Sequence, residues 1–129
     1  MILGFKEQFK PKILDGTKIH TLRVDKNKRW QKGKKIHFAT GQRTKNYNQF
    51  MSGVCTFNQA VVLKPVERKI YVGLNGKVGL LPKSQHETLA IRDGFDSLDK
   101  FWKFFNKTFF GVIVHWTDIP PYSPVFKTH

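Results

Sequence analysis

Short apolar runs alternate with polar and glycine-containing segments along the chain, a pattern typical of many short β-strands. Runs that contain β-branched or aromatic residues predict strands at residues 2–5, 18–24, 34–40, 54–63 and 111–116. The polar and basic segment 41–48 predicts a loop. Asn75-Gly76 separates two further strand-like runs, at 70–74 and 77–81. Because both positions of this pair tolerate positive φ, we predict a tight hairpin there.

Three segments predict short helices. Proline in the first turn predicts a helix at residues 11–15, which Gly16 ends. The capping box at residues 84–87 predicts the start of a second helix that reaches residue 92 and is stopped by Gly94.

A third helix is predicted over residues 97–107, with Asp96 as its N-cap. Four apolar residues in it fall at positions i, i+3, i+4 and i+7 and predict one apolar face: Leu98, Phe101, Trp102 and Phe105. Many short strands with two or three short helices predict an α+β fold, a small β-barrel whose openings are covered by the helices. The 129 residues suit one domain. We predict this domain at residues 1–117, followed by an extended Pro-rich C-terminal tail at 118–129.

The charge is strongly positive and unevenly distributed. Lys+Arg number 23 against 9 Asp+Glu, and the net charge is +14. Between Lys26 and Val66 the sequence has no acidic residue, and nine basic residues lie there: Lys26, Lys28, Arg29, Lys32, Lys34, Lys35, Arg43, Lys45 and Lys64. A polyanion would relieve this self-repulsion, and nucleic acid is the first candidate. An acidic membrane surface, an acidic protein, or a lysine-rich face that serves only solubility are the alternatives.

Composition excludes several classes of protein. A hydrophobic fraction of 40% excludes a disordered tail, and a single cysteine excludes a disulfide scaffold or a Cys-rich zinc module. The five histidines lack ligand spacing, so we expect no metal and no cofactor. No apolar run reaches the length of a membrane span, and the apolar start is too short for a signal peptide. We therefore expect a cytoplasmic protein.

The segment GTKIHTLR, residues 16–23, is the most informative stretch for chemistry. Thr21 and Arg23 have the same parity and share one face of the predicted strand, whereas Lys18 joins them only if it still belongs to the preceding turn. A lysine and an arginine together suit a phosphate, a carboxylate or a polarised base carbonyl. The alternative is an ordinary edge strand whose basic side chains reach into water.

Asp93 is the second candidate. It is predicted at the C-terminal end of a helix, where a carboxylate opposes the helix dipole by about 0.3–1 kcal/mol unless a cation lies nearby. Lys18 or Arg23 would be that cation. A solvent-facing Asp-Gly turn is the alternative.

These stretches resemble the ASCH domain family. The resemblance rests on residues 9–23 (FKPKILDGTKIHTLR), on 33–38 (GKKIHF) and on 90–97 (AIRDGFDS), and it covers about residues 2–116. It implies a PUA-like β-pseudo-barrel, with two or three short helices flanking a cleft, and an association with RNA. Some small members of the family are amidohydrolases that deacylate N4-acetylcytidine, and ribonuclease activity has also been attributed to members.

The resemblance also implies site residues. The catalytic Lys and Thr of the amidohydrolases fall on Lys18 and Thr21, and Asp93 stands where they have Glu, one methylene shorter. If the protein is a hydrolase, Lys18 would be the base, Arg23 or backbone N–H groups would hold the oxyanion, and Asp93 would protonate the leaving amine.

We therefore predict a module that recognises RNA or a modified nucleoside or nucleotide at a basic cleft. Its expected binding residues are Lys18, Thr21, Arg23, Lys28, Arg29, Trp30, Arg43, Lys45 and Tyr47. Trp30 and Tyr47 would either stack on bases or pack against the barrel. The alternatives are an amidohydrolase of acylated cytidine, or a ribonuclease, that uses Lys18, Thr21 and Asp93, and a protein that binds an acidic partner through its basic face.

Overall fold

Two open β-sheets and three short α-helices make up the fold, which confirms the α+β class. The structure is a computed structural model and describes residues 1–125. The strands are β1 (Ile2–Phe5), β2 (His20–Arg23), β3 (Lys35–Thr40), β4 (Asn48–Val54), β5 (Phe57–Lys64), β6 (Lys69–Leu74), β7 (Lys77–Leu80) and β8 (Phe109–His115). The α-helices are α1 (Lys10–Leu14), α2 (His86–Arg92) and α3 (Leu98–Phe104), and 3₁₀ turns at Glu7–Phe9 and Lys83–Gln85 precede the first two.

The smaller sheet has the order β1-β3-β4, with β1 parallel to β3, and the larger is antiparallel in the order β2-β8-β5-β6-β7. Within residues 1–125 no strand pair joins the two sheets, so the sheets are open and do not close into the predicted small β-barrel. Aromatic rings lie between them instead, since Trp116 packs edge-on against Phe5 at 6.0 Å and Phe38 at 4.9 Å. The sheets therefore meet through side chains rather than through a shared hydrogen-bond ladder, and β2 is left as an edge strand.

The helices contribute to the same core as the sheets. Phe101 and Trp102 of α3 are buried with Leu89 of α2, while Leu98 and Phe105 pack against the cluster from its margin. The predicted apolar face of the third helix is therefore confirmed.

The local turn predictions have mixed outcomes. The hairpin at Asn75-Gly76 is confirmed, with φ of 53° and 79° at the two positions. The capping box is wrong, because residue 84 lies inside a 3₁₀ turn and α2 begins at His86 without a side-chain cap. The predicted cap Asp96 is also wrong, since the Ser97 hydroxyl accepts the amide hydrogen of Lys100 instead.

The bounds of several elements differ from the prediction. β4, Asn48–Val54, occupies the end of the predicted loop 41–48 and the start of the predicted strand 54–63, which begins only at Phe57. The third helix ends at Phe104 rather than at residue 107.

The Pro-rich segment after β8 bends at residues 117–119 and lies against the domain. Tyr122 is buried in the core, and the Val125 amide donates to the Leu80 carbonyl at 2.8 Å. Residues 126–129 of the predicted tail lie outside the described part of the chain. Among the described residues, no helix is long and apolar enough to cross a membrane.

Candidate functional site

Lys18 lies in the turn between α1 and β2, as its parity required. Its amide donates to the Lys12 carbonyl at 2.9 Å, and the next amide, of Ile19, donates to the Arg92 carbonyl at the end of α2, also at 2.9 Å. The turn is thereby fixed to two helices, with Gly16 supplying the left-handed conformation that ends α1 (φ 84°). These contacts leave the side chain 2% exposed.

Asp93 meets Lys18 from the end of α2. The Lys18 ammonium donates a hydrogen bond to the Asp93 backbone carbonyl and lies 3.5 Å from the carboxylate Oδ1. Gly94 has φ 100°, and a Cβ there would lie 2.8 Å from the Phe9 ring and 2.9 Å from the Lys18 stem. The glycine therefore makes room for the lysine as well as ending the helix, and the cation expected beside Asp93 is Lys18.

Thr21 and Arg23 project from one face of β2. The Arg23 guanidinium donates to the Gly4 carbonyl of β1 and, at 3.4 Å, to the Thr21 hydroxyl. It also lies over the Phe5 ring, 5.0 Å from the centroid. Arg23 thus joins the edge of β2 to β1 and keeps the Thr21 hydroxyl beside a cation.

These four side chains line one cavity of about 280 Å³ between the edge of β2, β1 and the helices. Its remaining wall is mostly aromatic: Phe5, Phe9, Phe95, Phe104, Phe105 and Phe109. The Lys18 ammonium lies 4.8 Å from the centroid of the Phe9 ring. The cavity therefore combines flat apolar surfaces with two cations, a hydroxyl and a carboxylate.

Burial changes the acid–base behaviour of Lys18. The pKa of Lys18 is lowered from 10.5 to about 8, chiefly by loss of hydration; Asp93 opposes this change and the neighbouring Arg23 contributes to it. Near neutral pH the amine therefore loses its proton far more readily than a surface lysine.

His20, on the opposite face of β2, lies behind the cavity. Its Nδ1 is 3.0 Å from Asp93 Oδ1 and its Nε2 is 2.6 Å from the Tyr122 hydroxyl. Burial lowers the pKa of His20. The alternation of side chains had predicted packing or a hydrogen bond for His20, and the hydrogen bonds are present. Tyr122 was missed, because nothing in the Pro-rich segment identifies one of its residues as a partner for β2.

A second, more polar groove of about 480 Å³ adjoins the cavity and shares Phe95 and Phe104 as walls. Lys12, Lys100 and Lys103 line it. Asp96 also lines it and forms ion pairs with Lys12 and Lys100. The groove therefore carries a net positive charge next to the aromatic cavity. The sequence pattern did not predict it.

The predicted surface residues divide into two groups. Arg43, Lys45 and Tyr47 are exposed in the loop between β3 and β4. None of the three lines the cavity, although Gln42 of the same loop packs on Gly4, a residue of the cavity wall.

The second group, Lys28, Arg29 and Trp30, lies in the loop between β2 and β3 and does not line the cavity. Lys28 and Arg29 are exposed, but Trp30 is only 5% exposed and belongs to the core. The Asp25 carboxylate holds this loop by accepting the amides of Arg29 and Trp30 at 2.8 and 2.9 Å. Base stacking by Trp30 is therefore wrong, and packing is its role.

Comparison with protein-family models, with curated proteins and with solved structures finds no match to this chain. Residues 1–125 contain no group of three or more His, Cys, Asp or Glu side chains that could hold a metal ion. The geometry of the cavity and its neighbouring groove is therefore the basis for a functional assignment.

Proposed function

We propose that the protein binds a single nucleobase, of RNA or of a free modified nucleoside or nucleotide, in the cavity beside β2. The observation that carries the proposal is the convergence of Lys18, Thr21, Arg23 and Asp93 in one aromatic-walled space. Its volume of about 280 Å³ is just below the roughly 300–1,000 Å³ of sites for drug-sized ligands. A space of that size suits one base better than a paired duplex.

The chemistry of the wall matches the two parts of a base. Aromatic side chains stack on the flat face of any base, at about 1–3 kcal/mol per base. The cations Lys18 and Arg23 suit a ring carbonyl, while the carboxylate of Asp93 suits an exocyclic amino group. Lys18 and Asp93 are buried, so these polar contacts would form away from competing water.

The lysine groove offers a place for phosphate. Because it shares two walls with the cavity, a ligand seated in the cavity would extend its sugar and phosphate toward Lys12, Lys100 and Lys103. The exposed Arg43 and Lys45 would attract further phosphates of an RNA strand. The resemblance to the ASCH family, with its implied PUA-like fold and RNA association, points in the same direction.

Titration calorimetry with cytidine 5′-monophosphate and with a short single-stranded RNA tests the proposal. The Lys18→Met variant should bind at least tenfold more weakly, whereas Lys107→Met, which changes an exposed lysine, should bind as the unaltered protein does. With four phosphates neutralised, log affinity for RNA should fall against log salt with a slope of about −3. Absence of saturable binding to either probe at low salt would contradict the proposal.

A second candidate is hydrolysis of an amide on a cytidine-like base, favoured by the lowered pKa of Lys18 beside the Thr21 hydroxyl. Neutral Lys18 would take the hydroxyl proton as Thr21 Oγ attacks the amide carbonyl, and Arg23 would stabilise the oxyanion. The Lys18 ammonium would return that proton to the leaving amine, and water would then hydrolyse the threonine ester.

Acetate release from N4-acetylcytidine separates the two candidates. A hydrolase should lose turnover by orders of magnitude in Thr21→Val while still binding the substrate, and its rate should rise with pH toward about 8, the pKa of Lys18. A binding protein should release no acetate in any variant.

A further inference from the structure

The segment after β8 is held behind the cavity by its backbone. The Gln59 side chain accepts the Tyr122 amide hydrogen at 3.0 Å and donates to the Tyr122 carbonyl at 2.7 Å. The Val125 amide pairs with Leu80 on the edge strand β7. These contacts fix the position of Tyr122 without using its hydroxyl group.

The hydroxyl group instead ends a chain of buried hydrogen bonds that leads to the cavity. Asp93 Oδ1 lies near the Lys18 ammonium, so it acts as a carboxylate and accepts from His20 Nδ1. With its hydrogen on Nδ1, a neutral His20 can only accept at Nε2, and the Tyr122 hydroxyl donates there. Each group thus donates to the next, Tyr122 to His20 and His20 to Asp93.

The surroundings keep both rings in these protonation states. Lys18 and Arg92 face His20 with positive charge, His115 packs edge-on against it at 5.3 Å, and Asp93 is the acidic group that opposes them. Burial lowers the pKa of His20 and raises that of Tyr122, so the imidazole stays neutral and the phenol keeps its proton.

We infer that Tyr122 is a positioning residue: its hydroxyl donates to Nε2 of the Nδ1–H tautomer that Asp93 selects, which holds His20 in place, and His20 in turn holds the Asp93 carboxylate toward Lys18 and the cavity. The effect on ligand binding rests on the proposed function, whereas the tautomer of His20 does not. The segment after β8 is then part of the site.

The test compares unaltered protein with Tyr122→Phe, labelled with ¹⁵N and ¹³C in histidine. Phenylalanine keeps the ring that packs on His20 (centroids 5.4 Å apart) and removes the hydroxyl group that donates to His20 and faces Arg92. Tyr71→Phe, on β6, is the matched control. Imidazole chemical shifts report tautomer and charge from pH 5 to 8, and cytidine 5′-monophosphate affinity is measured over the same range.

The unaltered protein should show a neutral His20 with hydrogen on Nδ1 throughout. In Tyr122→Phe the neutral imidazole loses the hydrogen bond that its Nε2 accepts, so His20 should acquire a proton at a higher pH than in the unaltered protein, and affinity should fall about tenfold below that transition. Hydrogen on Nε2 in the unaltered protein, or an unchanged His20 titration in Tyr122→Phe, would overturn the inference. A His20 response without any nucleotide binding would instead overturn the proposed function and support the tautomer assignment.

Discussion

Replacing Lys18 by methionine tests whether burial of the protonated Lys18 amine destabilises the folded protein. Methionine keeps an unbranched side chain of similar length and removes the charge. The pKa of Lys18 is lowered from 10.5 to about 8, chiefly by burial. Between those two values the unfolded chain binds more protons at this side chain than the folded chain does. The unaltered protein should therefore gain stability as the pH rises through this window, whereas Lys18→Met should lack the gain.

The size of the effect follows from the same numbers. A pKa that falls from 10.5 to about 8 corresponds to about 3 kcal/mol over the complete transition, at about 1.4 kcal/mol per unit. Roughly 2 kcal/mol or more of this lies between pH 7 and pH 10. The variant also loses the hydrogen bond to Asp93, which changes its free energy of unfolding at every pH. The test is therefore how the difference in free energy of unfolding between the two proteins varies with pH.

Urea unfolding followed by tryptophan fluorescence at pH 7, 8, 9 and 10 measures this difference. The free energy of unfolding of the unaltered protein should rise relative to that of Lys18→Met by about 2 kcal/mol across the series. Lys107→Met, at an exposed position, should run parallel to the unaltered protein. Parallel profiles for Lys18→Met and the unaltered protein would refute the claim that burial lowers the pKa of the Lys18 amine.

Four further substitutions test the fold by urea unfolding. Thr40→Val should stabilise the protein by about 1 kcal/mol, because within residues 1–125 the buried Thr40 hydroxyl has no hydrogen-bond partner; destabilisation would mean that the hydroxyl is satisfied. Gly94→Ala should cost about 1–3 kcal/mol for its φ of 100° and more for the contact with the Lys18 stem. Gly16→Ala, with φ 84° and open space around it, should show the backbone cost alone, and equal losses would refute the contact. Ser97→Ala should cost about 1 kcal/mol as a lost N-cap, and no loss would contradict the assigned cap.

The site was the more predictable part of the molecule, because its signals are local. The alternation of side chains along β2 placed Thr21 and Arg23 on one face and His20 on the other. A carboxylate at the C-terminal end of a helix predicted a cation near Asp93, and the turn before β2 brings Lys18 there. Each of these inferences needs only a few neighbouring residues and an elementary rule.

The predictions that failed depend on distant segments. β4 is mostly exposed or half-buried and lacks clean alternation, so only its pairing with β3, irregular between Phe38 and Ala39, defines it as a strand. Asp96 and Ser97 are both good caps, and the choice follows from Lys12, which lies 84 residues away and pairs with the aspartate. Openness of the sheets likewise follows from which strands pair, and no local pattern encodes that.

The long sequence separation within the site has a consequence for synthesis. Asp93 follows Lys18 by 75 positions, and Tyr122 follows His20 by 102. During translation the lysine therefore waits for most of the chain before its carboxylate emerges from the ribosome, and the imidazole waits longer still for its phenol. A nascent chain that has not yet reached residue 122 should thus lack the Tyr122 end of the hydrogen-bond chain behind the cavity, however well its first strands have formed.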